Sequence, residues 1–202
     1  GIYNVGAGGT LQIDSGNVVR MASSMNIRGG IINAYHTTFT STDSPQSKGD
    51  WDEIAVGSAS VSGEANFWGC TIEYGGHSSI SESYAMVMVN RGTASFMDGS
   101  VITKSNNAGI LVASTGQLNL SDATVTDNTR PVVYSGPGSM VLNGTNDLTG
   151  NSENLIYINF TENTNTFILD TAAVPYEFSG GYTIGSGGEL RVHAGNEIRI
   201  RS

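Results

Sequence analysis

The sequence predicts an all-β fold: a single parallel solenoid of about eight coils, each roughly 23 residues long, spanning positions 1–202 as one domain. Three observations carry this. Gly, Ser, Thr and Asn supply 88 of the 202 residues, and only 13% of the chain is charged. Long helices draw on Ala, Leu, Glu, Lys and Arg, so this composition favours strands and turns. A short apolar motif recurs at an even step, starting at Ser100, Ala123 and Asn146. The segments between candidate strands are only a few residues long, too short for the helical crossovers of an α/β fold. An all-α fold is excluded, and a doubly wound α/β fold is disfavoured.

The repeat fixes the elements. Ser100-Val101-Ile102-Thr103-Lys104-Ser105, Ala123-Thr124-Val125-Thr126-Asp127-Asn128 and Asn146-Asp147-Leu148-Thr149-Gly150-Asn151 align at steps of 23. Ile110, Val133 and Ile156 are expected to keep that step downstream. A looser member, Cys70-Thr71-Ile72-Glu73-Tyr74, precedes Ser100 by a longer step, with the extra length in a loop after Tyr74. One coil then reads as strands over Gln117–Leu120, Thr124–Asp127 and Val132–Tyr134. Each strand is too short to bury its own apolar side chains, and stacking of coil on coil closes the core. Strand alternation assigns faces. Ile72, Ile102, Val125 and Leu148 form an inward aliphatic column, with Cys70, Ser100 and Ala123 beside it. Thr103, Thr126 and Thr149 are expected outside and exposed. Ser105, Asn128 and Asn151 occupy the bend after the strand, where stacked amides bond one another and the turn backbone. Insertions are expected at residues 41–50 and 75–84.

A second repeat links the two ends. Tyr3–Ser23 matches Tyr182–Ser202 without a gap, with nine of 21 positions identical at an offset of 179. Two readings stay open. Residues 3–181 are one unit of a tandem array and 182–202 open the next copy, or both ends use one strand–turn–strand motif inside a single domain.

Net charge is −9, only two lysines are present, and basic residues form no run. Phosphate binding needs clustered Lys and Arg, so a nucleic-acid partner is not expected. No apolar stretch is long enough to span a bilayer as a helix, so membrane insertion is not expected. The start, Gly1-Ile2-Tyr3, is read either as the product of signal-peptide removal or as part of a longer chain. The single cysteine, Cys70, cannot form an internal disulfide.

Several motifs together resemble the right-handed parallel β-helix in the pectin-lyase-like form found as repeat regions of large secreted surface proteins. They are Gly8–Val19, Thr38–Thr42 followed by Gly49–Ile54, Cys70–Gly76, Asn106–Ile110, and Val174–Tyr176 leading into Tyr182–Ile184. The resemblance implies right-handed coiling and an extracellular or cell-surface location. It also implies a choice among adhesins, surface-array proteins, and polysaccharide lyases or hydrolases, which the fold alone does not make.

Polysaccharide-cleaving enzymes need a tight group of acids on one outer face. Here Asp43, Asp50, Asp52 and Glu53 share the loop Thr42–Glu53, and Glu73 and Asp98 stand elsewhere. Only Asp52 and Glu53 are adjacent on an expected strand, and adjacent strand residues face opposite ways. No catalytic set is therefore assigned. A calcium ion near Asp43, Asp50 and Asp52 is a secondary expectation behind a plainly solvated acidic loop. His36, His77 and His193 lack a nucleophile elbow and are read as surface residues. No His/Cys group has zinc spacing. Cys70 is read as a buried filler. The glycine runs at Gly6–Gly9 and Gly185–Gly188 precede strands and lack a phosphate-loop lysine, so they are read as turns. The Thr103/Thr126/Thr149 column raises ice binding, but its neighbour column Val101/Thr124/Asp147 is irregular. Asn119, Asn143 and Asn159 lie in glycosylation sequons. No cofactor is expected.

The expected function is non-enzymatic: a structural or adhesive module of a secreted surface or fibre-forming protein, partnered by copies of itself head to tail, with carbohydrate as a further partner class. The alternative is a polysaccharide lyase or glycoside hydrolase.

Overall fold

The computed structural model describes residues 1–201; Ser202, the last residue of the end motif, lies outside them. Among the described residues the structure is all-β, and every strand pairing is parallel. Strands are numbered in chain order. One row runs through β1 (Tyr3–Val5), β4 (Met25–Ile27), β7 (Ile54–Val56), β10 (Ala85–Met97), β12 (Ala108–Ser121), β14 (Val132–Tyr134), β16 (Ile156–Ile158), β19 (Tyr176–Ser179) and β22 (Ile198–Arg201). A second row holds β2 (Thr10–Ile13), β5 (Ile31–Tyr35) and β8 (Gly63–Trp68), and continues through the C-terminal halves of β10 and β12 to β15 (Ser139–Asn143). The long strands β10 and β12 belong to both rows and weld them into one 13-stranded sheet. A separate five-stranded sheet holds β3 (Val18–Met21), β6 (Thr38–Ser41), β9 (Thr71–Glu73), β11 (Val101–Thr103) and β13 (Thr124–Thr126). Two small sheets pair β17 (Glu162–Asn163) with β20 (Thr183–Ile184), and β18 (Thr166–Leu169) with β21 (Glu189–Val192). From β1 to β9 the chain visits first row, second row and five-stranded sheet in the same order three times.

Steps between paired residues of the first row run from 20 (Ile156 to Tyr176) to 33 (Ile54 to Val87). The two longest, Met25 to Ile54 and Ile54 to Val87, contain the expected insertions. The repeat register holds where it was read: Ile102 pairs with Val125 on one side and, across the longer step, with Ile72 on the other. Cys70, Ile72, Ser100, Ile102, Ala123, Val125 and Leu148 are all buried. The downstream column needs a correction. Ile110 pairs with Val132, not Val133, and Val132 pairs with Ile156. A step of 22 followed by one of 24 slips the register by one residue, which turns Val133 to the opposite face. Val133 sits instead in a second apolar cluster with Ala85, Ala108, Leu111, Leu155 and Tyr157. Thr103 and Thr126 also differ from expectation: they are half-buried, because each is flanked by a paired residue (Glu73 and Thr126 beside Thr103). Thr149 is exposed, and its segment meets β13 through a bridge between Thr124 and Asp147 and a bond from Val125 N to Asp147 O (2.8 Å) without forming a strand there.

The corners follow the pleat. Residues just past the second-row strands turn left-handed at His36 (φ 41), Asp98 (φ 55) and Asp122 (φ 56). Those past the five-stranded sheet do so at Tyr74 (φ 66), Lys104 (φ 61) and Asp127 (φ 56). Asp, Asn and His tolerate this region better than most residues. The residue after the second corner points inward, and there the expected amide ladder forms. Ser105 N donates to Asn128 Oδ1 (2.9 Å), and Asn128 N and Nδ2 both donate to Asn151 Oδ1 (3.0 and 3.1 Å). Each buried amide thereby satisfies the turn above it.

Candidate functional site

Two regions concentrate chemistry: the side carrying the insertions, and the two outermost sets of strands.

On the insertion side, the loops following β6 and β9 lie in register. Asp50 N donates to Tyr74 O (3.0 Å), Gly76 N to Asp52 O (2.8 Å) and His77 N to Trp51 O (3.3 Å). Trp51 is buried beneath them, and its Nε1 donates to Glu73 O (2.9 Å). A Cβ on Gly75 would lie 2.6 Å from the indole, so the close approach admits only glycine. Buried Asn107 anchors the second loop: Nδ2 donates to Ser79 O (2.9 Å) and to Gly76 O, and Oδ1 accepts from Ser81 N (2.7 Å). The His77 ring stacks on Tyr84 (4.3 Å between centroids), closing residues 77–84 into a strap. Arg130, almost wholly buried, locks the strap's far side. Its Nε lies 2.7 Å from Glu153, its Nη1 3.3 Å from Glu82, and its guanidinium 4.2 Å from the centre of the Tyr157 ring. A groove of about 270 Å³ runs along the strap between Ile80, Tyr84, Arg130 and Val133.

The acidic residues go to separate partners. Asp50 Oδ2 accepts from Ser47 N (2.7 Å), and Asp52 Oδ2 accepts from Ser24 Oγ (3.2 Å). Glu73 accepts from Thr40 Oγ1 (3.1 Å) and pairs with Lys104 (2.9 Å). Lys104 also donates to Tyr74 Oη, and that bond together with Glu73 raises its ammonium pKa. Asp43 and Asp98 are exposed. Asp52 and Glu53 precede β7 rather than lying within it, which corrects the expectation that they occupy a strand. Burial and the neighbouring Asp52 raise the Glu53 carboxyl above its usual value, while His77 and Arg28 pull the other way. Among the described residues no three His, Cys, Asp or Glu side chains group as metal ligands.

His36 and His193 are exposed, and His193 lies 3.0 Å from Asp170; His77, half-buried against Tyr84, is not the free surface residue expected. Cys70 is buried, its Sγ faces Ala34 O (3.3 Å), and burial pushes its thiol pKa up. Among the sequons, Asn119 donates to Ser95 Oγ (3.1 Å) and Asn159 to Glu82 Oε2 (3.2 Å), whereas Asn143 is exposed. The glycine runs are turns at both ends: Gly9 N donates to Gly6 O and Gly188 N to Gly185 O, both at 2.9 Å, with positive φ at Gly8 and Gly187. This is the type II pattern.

The outermost strands carry most of the exposed apolar surface. At the N-terminal side Ile2, Tyr3 and Val18 are 62%, 51% and 56% exposed beside a hollow of about 420 Å³ lined by Leu11, Ile13, Val19 and Met21. At the C-terminal side Ile184, Val192, Ile198 and Ile200 are exposed, Ile200 by 77%, beside a smaller hollow formed by Phe178, Tyr182 and Leu190. The matched end motifs use these strands differently. β3 pairs with β6 in the five-stranded sheet, whereas β22, which begins one residue past the position matching β3, pairs with β19 in the first row.

Trp51, Asn107 and Arg130 were not singled out by sequence reasoning. Each of them has a contact in the 75–84 insertion, at Gly75, Ser79 and Glu82 respectively, outside the period that made the other columns readable. Comparison with family models, curated proteins and solved structures finds no match. Among the described residues no helix is long and apolar enough to cross a membrane.

Proposed function

We propose that this chain is a non-enzymatic structural or adhesive module of a secreted, surface-displayed or fibre-forming protein, and that its strand rows are the faces of one right-handed parallel β-solenoid. The fixed order in which the chain visits the rows supports a single coil, and parallel strands joined by a crossover in one sheet are right-handed in nearly all proteins. The observation that carries the function is the apolar surface on both outermost sets of strands, from Ile2, Tyr3 and Val18 to Ile198 and Ile200. An open strand edge with apolar side chains is a template for another strand. Further coils cover these edges in this reading, supplied by a tandem copy of residues 3–181 or by a second chain stacked head to tail. The dispersal of the acids among separate partners favours a scaffold over polysaccharide cleavage.

The test is multi-angle light scattering across a concentration series, with electron microscopy of the concentrated sample. Axial oligomers that disappear in Ile200→Lys support the proposal. A chain that stays monomeric at all concentrations, with no axial contact in any crystal form, overturns stacking between chains. Reducing ends or unsaturated sugars released from pectate, alginate or glycosaminoglycan, and lost in Glu53→Gln, would overturn the non-enzymatic reading.

A further inference from the structure

The chain holds one Asn-Gly pair, Asn143-Gly144, and one Asp-Gly pair, Asp98-Gly99. Asn143 is the last residue of β15 and Asp98 the first past β10, and both pairs turn left-handed, Gly144 at φ 66 and Asp98 at φ 55. They differ in what holds the glycine nitrogen. Gly99 N donates to Asp122 O at 3.0 Å. Gly144 N has no acceptor among the described residues, and the exposed Asn143 side chain has no hydrogen bond there either. Position 144 favours glycine, because φ is positive and a Cβ would lie 2.2 Å from Asp122 Oδ1. Glycine leaves the nitrogen sterically open, with no side chain at 144 to shield its approach to the neighbouring amide.

We infer that Asn143 is a self-modifying position, at which the Gly144 nitrogen displaces the side-chain amide and the chain converts to aspartate and isoaspartate. The steps balance. Gly144 N loses its proton to solvent base and bonds to Asn143 Cγ. The Cγ–Nδ2 bond breaks, and ammonia leaves carrying the returned proton. The resulting five-membered succinimide takes up one water. Opening at one carbonyl gives aspartate, and opening at the other gives isoaspartate, with an added methylene in the main chain. Either product puts a new carboxylate beside Asp122, whose Oδ1 accepts from Thr145 N (2.8 Å). Isoaspartate also displaces the Asn143 carbonyl, which accepts from Asn146 Nδ2 (2.9 Å). Asn146 in turn accepts from Ala123 N (3.0 Å), so the change reaches the buried column.

The same Nδ2 is the acceptor of the sequon, so the experiment uses unglycosylated chain verified by intact mass. Folded protein is held in neutral and in mildly alkaline buffer, and peptides are mapped with isoaspartyl methyltransferase labelling. The expected result is loss of the amide at Asn143, faster in alkali, yielding both acid isomers. The exposed residues Asn4, Asn17, Asn154 and Asn165, none followed by glycine, keep their amides, and Asp98-Gly99 stays unlabelled while folded. In urea, where Gly99 N is released, both pairs become labelled. Asn143→Gln abolishes the labelled product at that site. Retention of the Asn143 amide for as long as Asn154 keeps its own would overturn the inference. So would isoaspartate at Asp98 forming in the folded chain as fast as at Asn143.

Discussion

Residues 85–158 and residues 159–201 use the same local chemistry and reach different degrees of burial. In the first region β10 and β12 run 13 and 14 residues, are paired on both sides, and bury nearly all inward side chains. In the second, β20 and β22 leave every residue exposed, and β21 half-buries only Leu190. The amide device recurs in both. Asn128 Nδ2 bonds Ile102 O (3.1 Å) and Thr126 O (2.9 Å); Asn196 Nδ2 bonds Leu169 O (3.0 Å) and Asp170 O (3.1 Å). Asn128 is buried and has another amide below it, whereas Asn196 is half-buried. The stability of a stacked parallel strand therefore resides between neighbours more than within the strand.

The largest expected effect tests this difference with one substitution at two places. Val125→Asp puts an unpaired charge into the apolar column and should cost at least about 4 kcal/mol in urea unfolding. Leu190→Asp, at a half-covered position, should cost about 1 kcal/mol. Equal losses would erase the distinction between the regions. Next, Asn128→Ala strands the Ile102 and Thr126 carbonyls and the Ser105 N–H. It should cost about 2–3 kcal/mol, against about 1 kcal/mol for Asn196→Ala.

A smaller effect concerns how the second region is held. Asp170 accepts from Leu142 N (3.0 Å) and Thr171 N (2.9 Å) and faces His193. Burial works against its charge, but these bonds outweigh it and hold the carboxyl below its usual value. A depressed carboxylate contributes stability above its unfolded pKa, and that contribution is lost as pH falls through the folded value. Asp170→Ala should thus lower stability by about 1–2 kcal/mol at neutral pH and by less in acid, where the parent has lost the same interaction. Differential scanning calorimetry across acid pH measures this. The smallest effect has the opposite sign. Glu53 is raised, so its ionised form is disfavoured in the folded chain. Stability falls as pH rises from the unfolded to the folded pKa, and the cost is complete above the latter. Glu53→Gln should gain a few tenths of a kcal/mol at neutral pH and nothing below the carboxylate range.

The inward columns and the amide ladder were legible because each recurs at a fixed step and polarity alternates along each strand. Val133 was misplaced because its step is 22, and a single residue inverts the face. The strap was legible only as extra length. Nothing in Asn107 or Arg130 by itself marks a buried anchor, since what buries them is a loop whose path depends on Trp51, His77 and Tyr84 meeting across separate segments. The use of the end motif was equally hidden, because like turns at Gly6–Gly9 and Gly185–Gly188 are followed, one strand further on, by β3 in the five-stranded sheet and β22 in the first row.

The parallel ladder has a mechanical consequence. Its hydrogen bonds point from strand to strand, along the direction in which the first row is stacked. Tension applied through the two termini in that direction loads the interfaces in series, so the weakest yields first. β22, held on one side only, should peel from β19 before the paired interior gives way. Each further interface that gives way should free one step of the first row, 20 to 33 residues, about 70–115 Å of extended chain. Under force the molecule should lengthen in discrete steps and keep most of its fold while doing so, as a shock absorber does.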